Sequence, residues 1–296
     1  MVKAPPGRLV REVAIIGTGM IGTSIALALR KQGILTYLCD RDPYTVAMAA
    51  ARRAGVVGLP AAPVDIAVLA VPSSDIATVL AECQVKSMAH FYTDVGSVKV
   101  APTVDAELIG CDVKNYVGGH PLAGRTRSGP LAASADVFRD RPWALTPGAD
   151  TDPAAIDAVV ELVGLTGAHP VMMTPSEHDR AVARISHVPH LVASALAASI
   201  RGADDAVLRL CGSGIRDVMR FAADEAPLST DILRADAIEV SKVLAEIATE
   251  LNTVAGSMRE LSARPSRGHT DSATDVFAAG GGGRLPARPS PGYRWE

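Results

Sequence analysis

The segment Val13-Ala14-Ile15-Ile16-Gly17-Thr18-Gly19-Met20-Ile21-Gly22 decides how this chain is read. An apolar run with β-strand character ends in a glycine turn, and the turn opens a helix through Ala26 and Leu29. Gly17 permits the tight strand-to-helix turn, Gly19 lets backbone approach a pyrophosphate, and Gly22 lets helix and strand pack closely. Free N–H groups at the helix start, around Met20 and Ile21, face the anion. A second strand ends at Asp40, 23 residues past Gly17, where a carboxylate binds the adenosine ribose hydroxyls. An acid there repels a 2′-phosphate, which favours NAD over NADP; Arg41, next in line, is the residue able to offset that repulsion. Val71-Pro72-Ser73 closes another strand at the edge where such sheets receive ligands, a candidate cofactor wall.

Outward from this unit, strand-like runs at 13–17, 34–40, 65–71, 91–96, 115–119, 143–147 and 169–174 are mostly separated by Ala-rich helical stretches. Strands apolar almost throughout belong in a sheet covered on both faces, and strand–helix–strand repetition implies right-handed parallel crossovers. The expected fold is a doubly wound α/β domain over 9–174, behind a flexible 1–8. From Pro175 the strand signal stops. Stretches 176–201, 206–222 and 227–262 carry apolar residues at spacings of three and four, so 175–262 reads as an all-helical substrate and dimerisation domain. Within it Ile232, Leu233, Ile238, Val240, Val243, Leu244, Ile247, Leu251 and Val254 cover more than one stripe, more than a surface helix needs. Residues 263–296 hold ten Gly or Pro among 34, too little apolar surface to offset ordering entropy, and read as a disordered tail.

Composition narrows the function classes. The 296 residues are 48% apolar and 21% charged with a net charge of −3, as in a soluble globular chain of one or two domains. No apolar run reaches the ~18–20 residues of a membrane helix, and the first twelve residues lack the ~7–15-residue apolar stretch of a secretory signal. The chain therefore reads as cytoplasmic, with no membrane partner. Absence of a Lys/Arg-rich run argues against nucleic acid. Cys39, Cys83, Cys111 and Cys211 stand 44, 28 and 100 residues apart, without metal-ligand or disulfide-framework spacing, and read as packing residues. No metal site is expected.

Further segments carry candidate chemistry. In Thr93-Asp94-Val95-Gly96-Ser97-Val98-Lys99, Ser97 reads as a helix N-cap, as a hydroxyl beside the nicotinamide, or as both. In Gly118-Gly119-His120-Pro121-Leu122-Ala123-Gly124, Pro121 biases His120 toward extended backbone and the glycines let substrate approach, so His120 is the candidate general base. Ser186-His187-Val188-Pro189-His190 places His187 and His190 on one helix face if Pro189 is a first-turn residue or a kink. In Gly212-Ser213-Gly214-Ile215-Arg216-Asp217-Val218-Met219-Arg220, the two arginines lie one turn apart, as carboxylate clamps or as surface cations. Asp217 serves either the helix N-terminus or an arginine.

Taken together and in this order, GTGMIG, DVGSVK, GGHPLAG with Ser128-Gly129 downstream, SHVPH and GSGIRDVMR resemble the prephenate/arogenate dehydrogenase family over residues 10–260. The resemblance implies a Rossmann domain, a helical dimerisation domain with a homodimer, and NAD-dependent oxidative decarboxylation of prephenate to 4-hydroxyphenylpyruvate on the route to tyrosine. It implies that His120 takes the ring-hydroxyl proton, that Ser97 holds that hydroxyl and His120, and that His190 contacts substrate. Arg220 would bind a carboxylate, with Ser213 and Asp217 nearby in the substrate set. Two positions depart from the family pattern, Met219 and Ser229, and leave arogenate or an amino-substituted prephenate as alternative substrates.

Two rivals are weighed on residues. Other two-domain nicotinamide enzymes, such as β-hydroxyacid dehydrogenases and imine reductases, commonly use a lysine of the helical domain, whereas here none occurs from 175 to 241. A non-catalytic dinucleotide sensor would have no use for Ser97, His120, His190 and Arg220 together.

Overall fold

The computed structural model describes residues 7–123, 128–224 and 230–263, apart from the side chains of residues 220, 221, 223, 224, 261 and 263. The expectations for residues 1–6, Gly124, Ser229, the Arg220 side chain and the 264–296 tail lie outside the described residues. Strands β1 (Glu12–Ile16), β2 (Leu35–Cys39), β3 (Val56–Val57), β4 (Val64–Leu69), β5 (Ala89–Asp94), β6 (Tyr116–Pro121), β7 (Pro142–Pro147) and β8 (His169–Met172) form one sheet in the order β3-β2-β1-β4-β5-β6-β7-β8. Helices α1 (Met20–Lys31), α2 (Pro43–Ala51), α3 (Ile76–Val85), α4 (Val100–Leu108) and α5 (Pro153–Leu165) alternate with the strands.

Side chains alternate across each strand, so β1 feeds two cores. Val13 and Ile15 pack with Ile25, Leu29, Val46, Val159 and Leu162 of α1, α2 and α5 on one face. Ala14 faces the other side with Leu69, Leu80 and Ala106, under α3 and α4. This is the doubly covered sheet that the apolar strands require.

One pairing departs from expectation: β7 runs antiparallel to β6, with His120 opposite Ala144, while the other pairs are parallel. A parallel return needs a crossover of a dozen or more residues, usually a helix. The described part of 122–141 offers only a 3-10 turn, Pro130–Ala132. Strand β3 escaped the sequence pattern because two residues, both half-exposed, carry no periodicity.

The change from strands to helices at residue 174 has a local cause. Thr174 and Glu177 form a reciprocal capping box, with Pro175 at the first helical position. Helix α6 (Pro175–Val182) follows, then a π-helical turn (Ala183–His187) and α7 (Val188–Ser199), whose first turn accommodates Pro189. Next come α8 (Asp205–Arg209), α9 (Ser213–Asp224), α10 (Thr230–Ala235) and α11 (Ala237–Ala263). The three helical stretches read from sequence are thus subdivided; Gly202, at φ +84°, lies in the turn that ends the first.

By compactness the chain divides into Met1–Val240 and Ser241–Glu296, inside α11. Helix α6 stays with the sheet because its Asp179 carboxylate accepts the Lys99 and Val100 N–H groups that open α4. No described helix is long and apolar enough to cross a membrane.

Candidate active site

The glycine turn is built for close approach. Gly17 has φ +97°, and a Cβ there would stand 2.3 Å from the Ala70 carbonyl oxygen; one on Gly22 would stand 2.0 Å from the Gly17 oxygen. Both positions are closed by backbone. A Cβ on Gly19 would meet nothing within 4 Å, so that position faces open space. This crowded, open, crowded pattern fits a pyrophosphate lying over Gly19 at the N-terminus of α1. Asp40 closes the turn: its Oδ2 accepts the Thr18 N–H at 2.6 Å and the Thr18 hydroxyl at 2.9 Å. Its Oδ1 accepts the Asp42 N–H at 3.0 Å. Arg41 lies 3.8 Å from Asp75 Oδ2.

From this turn the carboxyl edge of the sheet runs continuously toward His120. The Cβ built on Gly17 would touch Val71 Cγ1 at 3.3 Å, and one built on Gly96 would stand 2.9 Å from Ser73 Oγ. The 71–73 segment, with Pro72, therefore lies between the dinucleotide turn and the loop that carries Ser97.

Asp94 organises that loop. Its Oδ1 accepts the Lys99 ammonium and the Gly96 N–H at 2.6 Å, and its Oδ2 accepts the Tyr116 hydroxyl at 2.5 Å and the Gly119 N–H at 3.2 Å. Lys99 also donates to the Gly119 carbonyl at 2.7 Å. Both charged residues are fully buried, so each needs the other. Burial draws the Lys99 amine below its ordinary pKa against the pull of Asp94, and raises the Tyr116 phenol well above its own, so Tyr116 remains a donor. The spacing of Asp94, Gly96 and Lys99 thus locks β5, its following loop and β6 together immediately before His120.

Ser97 is not the N-cap of α4. That position falls to Lys99, which offers no side-chain cap, and the helix-start N–H groups are taken by Asp179 of α6 at 2.8 and 2.9 Å. A partner 80 residues away left no local sign. Ser97 stays in the loop, partly exposed, free of the capping duty. Gly118 and Gly119 also differ from expectation. They are buried within β6, and a Cβ on Gly119 would stand 2.5 Å from the Asp94 carbonyl oxygen, so they serve strand packing rather than substrate approach.

His120 is the next-to-last residue of β6, in extended backbone with a partly exposed side chain. Its Nδ1 lies 2.9 Å from His178 Nε2, and His178 Nδ1 lies 2.7 Å from Asp179 Oδ1. Desolvation, reinforced by His178, Lys99 and His187 nearby, holds the His120 pKa well below the usual imidazole value. It is a neutral imidazole near neutral pH, the form that accepts a proton.

His187 is committed elsewhere: its Nδ1 is 2.7 Å from Asp236 Oδ2, and both are buried. Burial raises the Asp236 pKa. His190 is buried on α7, which packs on α9. On α9, Ser213, Arg216 and Asp217 are exposed, and Arg220 lies one turn beyond Arg216. Sequence reading missed Asp94, Lys99, Tyr116, His178, Asp179 and Asp236 as site residues. Two signals were available: acid and lysine together in the quoted strand end, and the His178-Asp179 pair in the helix after a capping box.

Two cavities of about 220 and 460 Å3 lie at the opposite, amino edge, one lined by Leu59, Lys86 and Met88, the other by Asp65, His90 and Asn115. They are remote from this chemistry.

A glycine turn at a helix start and a neutral histidine along the same sheet edge define a dinucleotide-dependent dehydrogenase. The model of the prephenate dehydrogenase nucleotide-binding domain matches residues 25–173, and that of the prephenate dehydrogenase dimerisation domain matches 174–265. The chain belongs to the prephenate dehydrogenase family. It is 44% identical over 251 residues to "Probable prephenate dehydrogenase NovF" of Streptomyces niveus, covering 83% of this chain and 69% of that protein. It is 33% identical over 235 residues to the prephenate dehydrogenase of Bacillus subtilis, covering 75% of this chain and 63% of that one. The crystal structure of Synechocystis arogenate dehydrogenase superposes with a TM-score of 0.77 at 26% identity, over 92% of this chain and 98% of that one.

Proposed function

We propose that this protein oxidises and decarboxylates prephenate with NAD, yielding 4-hydroxyphenylpyruvate for tyrosine formation. The observation that carries this reading is His120, a histidine kept neutral at the sheet edge that leads from the glycine turn. Gly17, Gly19, Gly22 and the start of α1 would hold the pyrophosphate, Asp40 the adenosine ribose, and Val71 and Pro72 the wall beyond. The bound nicotinamide supplies the hydride acceptor. His120 takes the proton of the ring hydroxyl as the carbon gives up its hydride, and Ser97 orients that hydroxyl. Once the alcohol is a ketone, loss of carbon dioxide aromatises the ring, so decarboxylation asks for no second acid. His190 and the α9 residues Ser213, Asp217 and Arg220 form the substrate set, with Arg220 meeting a carboxylate. The Asp40 carboxylate supports NAD over NADP. The match to a dimerisation domain supports a homodimer.

A second reading, arogenate or an amino-substituted prephenate as substrate, is favoured by Met219, half-exposed on α9 where the family pattern differs. The experiment that separates these readings is absorbance of the reduced cofactor with prephenate and with arogenate, each with NAD and with NADP. Fastest turnover of prephenate with NAD is the expected result. Turnover of arogenate alone would transfer the assignment to the second reading. Dinucleotide binding without turnover of either would overturn the assignment and revive a sensor.

A further inference from the structure

We infer that Asp179, acting through His178, sets the tautomer of His120 so that its Nε2 lone pair is the one presented to substrate. The inference rests on the reading of His120 as the base and adds two positioning residues to it.

The argument follows the protons along the chain of contacts. Both oxygens of Asp179 accept backbone N–H groups at the start of α4, Oδ1 from Lys99 and Oδ2 from Val100. A carboxylate at a helix N-terminus is favoured by the dipole and only accepts. The 2.7 Å contact to Asp179 Oδ1 therefore requires the proton on His178 Nδ1. A neutral His178 then has its lone pair on Nε2, and the 2.9 Å contact to His120 requires the proton on His120 Nδ1. That leaves His120 Nε2 bare. The residue before it is fixed in turn, because Lys99 and Asp94 hold the carbonyl and N–H of Gly119.

The arrangement also gives the abstracted proton somewhere to go. The substrate hydroxyl proton passes to His120 Nε2, and the Nδ1 proton of His120 passes to His178 Nε2. Charge then rests on His178, beside the Asp179 carboxylate, and His120 is neutral again. The cationic groups opposing charge on His120 itself are Lys99 and, when protonated, His178 and His187; Asp94 pairs with Lys99 and Asp236 with His187.

The test is nitrogen-15 histidine NMR on the full chain at neutral pH, with the two signals assigned by His120→Asn and His178→Gln. The Nδ1–H tautomer at both residues is expected; Nε2–H at His120 overturns the inference, whether or not any substrate turns over. Kinetics supply the second arm. Asp179→Asn allows the amide to donate to His178 and so loses the tautomer, lowering kcat by about 100-fold or more. His178→Gln keeps an acceptor for His120 Nδ1–H and retains more activity than Asp179→Asn, with a shifted acid limb of kcat/KM. Dinucleotide affinity within twofold of wild type in either variant separates positioning from general damage. Wild-type kcat and pH profile in both variants would overturn the inference. Failure of prephenate turnover in the wild type would instead strike the functional reading, leaving the NMR result to decide the tautomer.

Discussion

At the residue scale, two glycines of the same motif have opposite sensitivities. Gly19→Ala adds a methyl into open space, so the thermal midpoint should stay within a few degrees while NAD binding falls steeply, as titration calorimetry would read. Gly22→Ala drives a methyl against the Gly17 carbonyl oxygen, so it should lower stability itself, and an unchanged denaturation midpoint would contradict the packing described. His120→Asn removes the proposed base without touching the glycine turn. It should lower kcat by about 100-fold or more and leave NAD affinity intact; retained kcat would relocate the base.

At the element scale, the buried Asp94 and Lys99 join β5, α4 and β6, a junction that surface charges could not make. Lys99→Met leaves Asp94 buried beside fewer donors and should cost about 3–5 kcal/mol in urea denaturation. Adding Asp94→Asn should recover part of that loss, because the uncompensated charge is gone. A single-variant cost below 1 kcal/mol would mean the pair is not buried as described. Much of this junction was legible: the DVGSVK and GGHP segments stood out, and His120 has the extended backbone that Pro121 implied. The capping of α4 was not legible, because its acceptor comes from α6 and local reading assigned the task to the nearest hydroxyl, Ser97.

At the scale of the whole molecule, pH and association are the accessible variables. His120 has a lower pKa folded than its ordinary value of 6.5, so below about pH 6.5 the unfolded chain binds a proton that the folded chain declines. Stability should therefore fall as pH drops through that value, and this contribution should disappear in His120→Asn when midpoints are compared at pH 7.5 and 5.5. The match to a dimerisation domain, with apolar Ile238, Leu251 and Met258 exposed on α11, leads to an expected dimer in sedimentation at micromolar concentration. A monomer there would refute the homodimer.

The sequence by itself determined the alternation of strands and helices and the glycine turn, and marked Asp40 and His120 as candidates, because each is written in a local period or a fixed spacing. Tertiary structure alone decided the antiparallel turn of β7, the burial of Asp94 against Lys99, and the line from His120 through His178 to Asp179. Those features join residues that are far apart in the chain or depend on burial. A hydrogen bond between distant segments leaves no period and no spacing for a sequence to display.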